Sequence, residues 1–216
     1  MKKEIRKIIT IIKAAPNLKA NTISSIITLC VGMILLAKQG FLTGTGKILF
    51  ITCTTFIQQA IMLSSGSGLI QSSSSAKRMQ TFYPCIIQFP FSILMYTIIA
   101  FHSIYIDTTF DISWSCWFII LYSILIAGLE IMPHVNYKYF GFGFICTMLI
   151  IIPYAVIICN FEKHNILHLP SSLALTNAVI IGYLIVITGS LLSILIANLL
   201  YKSPISAHVM KANTKA

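Results

Sequence analysis

Few side chains in this sequence combine the type and the spacing that chemistry needs. Glu162, His164 and His168 lie close together, and two histidines four apart share one helical face, as ligands of a zinc or copper ion would. The same segment holds Lys163 and Pro170, so no metal site is assigned and these three stand as its candidate ligands. Glu130 and His134 are also four apart, but Pro133 lies between them and is expected to end the helix, because proline forfeits a helical hydrogen bond. They are therefore read as a pair at the membrane interface rather than as an acid–base couple. His102, near Tyr105 and Asp107, is a further ionisable group within reach of water. Paired glutamates of the kind used by intramembrane proteases are absent, as is a Gly-x-Ser-x-Gly nucleophile elbow. No G-x-x-x-x-G-K-[ST] loop is present, so the chain has no such route to ATP hydrolysis. It is expected not to be an enzyme.

The elements that must position these residues are membrane helices. With 57% hydrophobic and 9% charged residues and a mean hydropathy of +0.89, there is too little polar surface to solvate a globule of 216 residues. A hydrocarbon core requires about 20 apolar residues per helix. Six stretches qualify: 22–37, 48–71, 84–106, 113–132, 139–159 and 175–201. Barrel strands would alternate in polarity over roughly ten residues. Stretches such as Ile119 to Ala127 are instead apolar on every side, which selects helices. The expected fold is all-α: one polytopic domain over 1–216, with six spans.

Basic residues divide unevenly between the alternate sets of loops. One set carries Lys2, Lys3, Arg6, Lys7, Lys13, Lys19, Lys77, Arg78, Lys138, Lys202, Lys211 and Lys215, and the other only Lys38, Lys47 and Lys163. Because basic loops stay inside, both termini are expected in the cytoplasm of a cell-membrane protein. The formal net charge of +10 then reports topology and attraction to anionic headgroups. No basic and aromatic surface suited to nucleic acid accompanies it.

Ile5, Ile8, Ile9 and Ile12 fall at i, i+3, i+4 and i+7, with Lys3, Arg6, Lys7 and Lys13 on the other side. Residues 1–19 are thus expected to form an interfacial amphipathic helix, broken at Pro16 and Asn17. An unstructured basic tail is the alternative. No small-x-small cleavage site follows the first apolar stretch, so that span is expected to be retained. The six cysteines, Cys30, Cys53, Cys85, Cys116, Cys146 and Cys159, lack metal or disulfide spacing and are read as small packing residues.

The second span ends in Ser64-Ser65-Gly66-Ser67-Gly68 and Gln71-Ser72-Ser73-Ser74-Ser75. Small residues and hydroxyls suit tight helix packing, while Ser64 and Ser67 are also candidates for lining a polar path. Gln58 and Gln59 need a partner or water inside hydrocarbon and are the first candidates for a cavity lining. Gly189, Ser193 and Ala197 mark a packing face on the last span.

After the serines comes Ala76-Lys77-Arg78-Met79-Gln80-Thr81-Phe82-Tyr83-Pro84, a short basic, aromatic segment ending at a proline. An N-terminal interfacial helix, six spans with both ends inside and a basic loop between the second and third spans resemble the membrane subunit of an ABC-2-type ABC transporter. The resemblance implies that this loop and the N-terminal helix dock on a separate cytoplasmic ATPase subunit, which would hold the ATP and Mg. Lys77, Arg78, Gln80, Arg6 and Lys7 are then the candidate contacts. Many such permeases have a longer, more acidic loop, whereas this chain has no carboxylate between Gly40 and Ile106. A second permease subunit, identical or not, is implied as well.

The resulting expectation is the membrane-spanning half of an ATP-driven exporter of an amphipathic substrate, such as a peptide, an antibiotic or a lipid. The alternatives are a substrate-binding integral membrane module, like the capture subunit of a vitamin importer, and an immunity or accessory protein. The capture module would use loops around Asp107 and His164.

Overall fold

The computed structural model describes residues 10, 13, 18–37, 41–106, 112–161 and 174–214. These residues form helices joined by short turns, with no strand among them. In chain order the helices are α1 (Leu18–Leu36), α2 (Phe41–Ser65), α3 (Gly68–Gln71), α4 (Ala76–Tyr105), α5 (Ile112–Lys138), α6 (Phe140–Phe161), α7 (Leu175–Leu200) and α8 (Ala207–Thr214). Five of them, α1, α2, α4, α5 and α7, are long and apolar enough to cross a bilayer. This is the architecture of a helical membrane protein, in which each span satisfies its backbone groups internally. The fifth expected span, 139–159, coincides with α6, a helix of 22 residues that is apolar along Phe140–Ile152.

Several boundaries differ from those read off the sequence. The second span runs over 41–65 instead of 48–71. Gly66 and the serines around it favour helix poorly, so the chain tightens there, with Gly66 and Ser67 N–H reaching back three residues to Leu63 and Ser64. The third begins at Ala76, eight residues before Pro84, so the basic segment Lys77 to Tyr83 is helix and not loop. Both Pro84 and Pro90 lie inside α4. The fourth passes through Pro133 and continues to Lys138. Proline is tolerated in a membrane helix where neighbouring side chains support the disturbed backbone. In the tail, α8 folds back on the bundle: Val209 is buried with Met62 and Tyr137, and Ser206 N–H bonds Tyr137 C=O at 3.1 Å. The expected interfacial helix over 1–19 lies almost wholly outside the described residues.

α5 is the centre of the bundle, and its longest contact is with α7. Ala178, Gly182, Val186, Gly189, Ser193 and Ala197 form a buried stripe along α7. A methyl at Gly189 would overlap Ala127 of α5, and one at Gly182 would overlap the Tyr96 ring of α4. The packing face expected at 189, 193 and 197 thus exists and extends further up the helix. Around it lie Ile51, Tyr96, Ile99, Ile119, Tyr122, Leu125, Ile126 and Val186. By contrast α1 packs against α2 and turns Ile23, Ile26, Ile27 and Ile34 outwards, as a lipid-facing helix does.

Candidate functional site

Deep in the bundle, α2, α4, α5 and α7 bring together the polar residues Gln58, Cys85, Gln88, Ser92, Glu130, His134, Ser190 and Ser193, all of them buried. Glu130 is 2% exposed and His134 1%. The arrangement begins with Pro133, which has no N–H to offer the Leu129 carbonyl. The next carbonyl, that of Glu130, is held by two side chains, Gln58 Nε2 at 3.0 Å and Ser193 Oγ at 2.8 Å. Helix continuity through the proline keeps Glu130 and His134 one turn apart on the face that meets α2 and α7.

Gln58 Nε2 also lies 3.0 Å from His134 Nε2. Since an amide nitrogen only donates, the imidazole accepts at Nε2 and carries its proton on Nδ1. The Cys85 thiol lies 3.1 Å from the same Nε2, 3.2 Å from Thr81 C=O and 3.5 Å from Ser193 Oγ. Its hydrogen is shared among several acceptors, as befits a small packing residue. Ser190 Oγ donates to Glu130 Oε2 at 2.7 Å. Ser92, which accepts from Gln88 Nε2 at 3.3 Å, faces the same carboxylate. Four atoms of this cluster are buried with no hydrogen-bond partner among the described residues: Glu130 Oε1, Gln58 Oε1, Gln88 Oε1 and His134 Nδ1. A cleft of about 170 Å³, lined by Gln59, Pro133, Asn136, Tyr137 and His208 among others, lies at the end of the bundle that carries Lys138.

No family model matches the chain, and neither does any curated protein or solved structure. The site must therefore be judged on its own geometry.

At that basic end, Lys138 is buried and donates to Gln80 Oε1 at 3.1 Å, Tyr201 C=O at 3.2 Å and Ser203 C=O at 2.9 Å. It closes the C-terminal end of α7, where carbonyls have no helical partner. Gln80, expected at an ATPase contact, is thus turned inward. Lys77 and Arg78 are exposed on the first turn of α4, beside a surface cleft of about 430 Å³ that also includes Thr81, Phe82, Tyr83 and Asn198. The Lys77 ammonium stands 5.8 Å from the centre of the Tyr201 ring. At the opposite end, Lys47 is not in a loop but buried in α2, donating to Ser103 Oγ at 2.9 Å with its ammonium 5.5 Å from the Tyr122 ring centre. His102 is buried too, its Nε2–H donating to Leu36 C=O at 2.9 Å and capping α1.

Of the two candidate cavity glutamines, Gln58 joins the buried cluster and Gln59 is exposed beside the smaller cleft. Ser64 Oγ bonds back to Ile61 C=O at 2.8 Å, and Ser67 is half-buried in the turn after α2. Ser65 reaches across to Tyr137 Oη at 3.1 Å, which favours the packing role for this run. Arg6, Lys7, Glu162, His164, His168 and Asp107 lie outside the described residues. No group of three or more metal-ligating side chains occurs among the described ones.

The Glu130 cluster is not legible as such in the sequence, because Pro133 there reads as a helix end. A signal was available. Of the five acidic residues, Glu4, Asp107, Asp111 and Glu162 fall outside the expected spans, and Glu130 alone falls inside one.

Proposed function

We propose that the chain is the membrane-spanning subunit of an ATP-driven exporter in the cell membrane, six spans with both termini cytoplasmic, working with a separate ATPase subunit and a second permease subunit. The observation that carries this reading is the pair Lys77 and Arg78, both exposed on the first turn of α4 just beyond the short helix α3 and lining the open cleft. A rigid helical turn that projects two cations beyond the bundle can transmit a push from a docked partner into α4, which a slack loop cannot. Gln80 supports the patch indirectly, by holding Lys138 and with it the end of α7. The N-terminal residues Arg6 and Lys7 would complete the contact. The largely apolar helix faces suit an amphipathic cargo, such as a peptide, an antibiotic or a lipid.

The test is to purify the tagged chain from its native host in mild detergent and identify its companions by mass spectrometry. An ATP-binding subunit should accompany the native chain in stoichiometric amount and be lost on Lys77→Glu/Arg78→Glu, with membrane insertion unchanged. Recovery of the chain alone, or with a secreted peptide, would refute the exporter reading. The second reading, a ligand-binding membrane module, is favoured by a polar cluster that is complete within one protomer.

A further inference from the structure

Glu130 is a carboxylate in the interior of a membrane protein, and no cation among the described residues stands against it. Lys138, two turns further along α5, is committed to Gln80, Tyr201 and Ser203. Lys47 lies towards the other end of the bundle, bonded to Ser103. His134 accepts at Nε2 from Gln58, so it is a neutral imidazole. A charge taken out of water without a partner is prohibitively costly. Something outside the side-chain inventory must balance it.

The groups around it say what kind of ligand that is. Glu130 Oε1, Gln58 Oε1 and Gln88 Oε1 are three buried acceptor oxygens with no hydrogen-bond partner among the described residues, and Ser92 and Ser190 bring hydroxyls to the same carboxylate. One negative charge among neutral oxygens matches a single hard monocation, whereas a divalent ion would seek further carboxylates. The other groups placed around Glu130 are uncharged: Gln58 from α2 and Ser193 from α7, which hold its carbonyl, Gln88 from α4, which bonds Ser92, and His134 on α5 with Cys85 of α4 beside it. α6, which also packs on α5, carries no Asp, Glu, Lys, Arg or His. The cleft at the basic end is lined by Gln59 and Pro133, which adjoin Gln58 and His134 in the chain.

We propose that the cluster of Glu130, Gln58, Gln88, Ser92 and Ser190 is an intramembrane binding site for one exchangeable monocation, a proton or a dehydrated alkali ion. The site lies within one protomer and does not depend on an ATPase partner. Loaded, it presents a neutral interior; unloaded, it leaves a bare carboxylate against α7. Exchange would therefore be felt at the α5–α7 contact.

Infrared difference spectroscopy on the full chain in lipid vesicles tests this, with the Glu130 signal assigned as whatever disappears in Glu130→Gln. If the ligand is a proton, a protonated-carboxyl band is lost on raising the pH and is indifferent to sodium. If it is an alkali ion, sodium at constant pH changes the signal and choline does not. A Glu130 signal that neither pH nor sodium moves, whichever protonation state it shows, overturns the proposal. Should Glu130→Gln fail to assemble, Ser190→Ala keeps the carboxyl while removing its hydrogen bond, and the band it displaces identifies Glu130 in its place.

Discussion

Polar side chains are buried both at the two ends of the bundle and in its middle, and they are used differently. At the ends, His102 caps α1 through Leu36, Lys47 meets Ser103, and Lys138 binds the carbonyls of Tyr201 and Ser203. His102 and Lys138 complete backbones that would otherwise be left with open carbonyls. In the middle, Glu130, Gln58, Gln88 and His134 each retain a buried atom without a hydrogen-bond partner among the described residues. The difference separates side chains spent on closing the helix ends from a carboxyl that the fold carries for another purpose. Removing an end cap should cost stability, and replacing the Glu130 carboxyl by an amide should not.

The sharpest way to break this contrast is to separate the helices that frame the central cluster. Gly189→Val would drive a branched side chain into Ala127 and should cost about 3 kcal/mol or more by overpacking. Denaturation in mixed micelles should show this as a large fall in the unfolding midpoint, and an unchanged midpoint would mean that α5 and α7 do not pack as described. Next in size is Lys138→Met, which strands Gln80 and two carbonyls and should cost about 2 to 3 kcal/mol. Protease protection of the residues after Tyr201 should fall with it.

His102→Ala should lose about 1 kcal/mol with the cap on Leu36, and His102→Gln should recover part of that loss. Smallest of all is Glu130→Gln, expected to lie within about 1 kcal/mol of the native chain or to stabilise it, since it removes a buried charge while keeping the shape. That variant is as deeply buried as any of the others. A loss comparable to that of Lys138→Met would place Glu130 among the structural groups and erase the contrast between ends and middle.

Periodicity and composition made the membrane helices legible. Their limits were less so, because helix ends in a bundle are decided by side chains from elsewhere in the chain. Pro84 and Pro133 were expected to bound helices and instead lie within them. Lys47 falls in a loop when the second span is read from residue 48, whereas α2 begins at Phe41 and buries it. Ser103 and Tyr122, more than fifty residues away, make its burial tolerable. Glu130 and His134 were visible as a pair, but their depth depended on a helix that survives its proline through Gln58 and Ser193, neither of them near it in sequence.

The amino-acid sequence by itself determined that the chain is helical and enters a membrane, because apolar runs of bilayer length have few other stable solutions. It also determined which residue types were available to any site. Tertiary structure alone decided which polar groups pair with one another and which remain open. A hydrogen bond to a helix carbonyl or a buried ammonium needs a partner at about 3 Å, and that partner comes from a helix whose place no local pattern records.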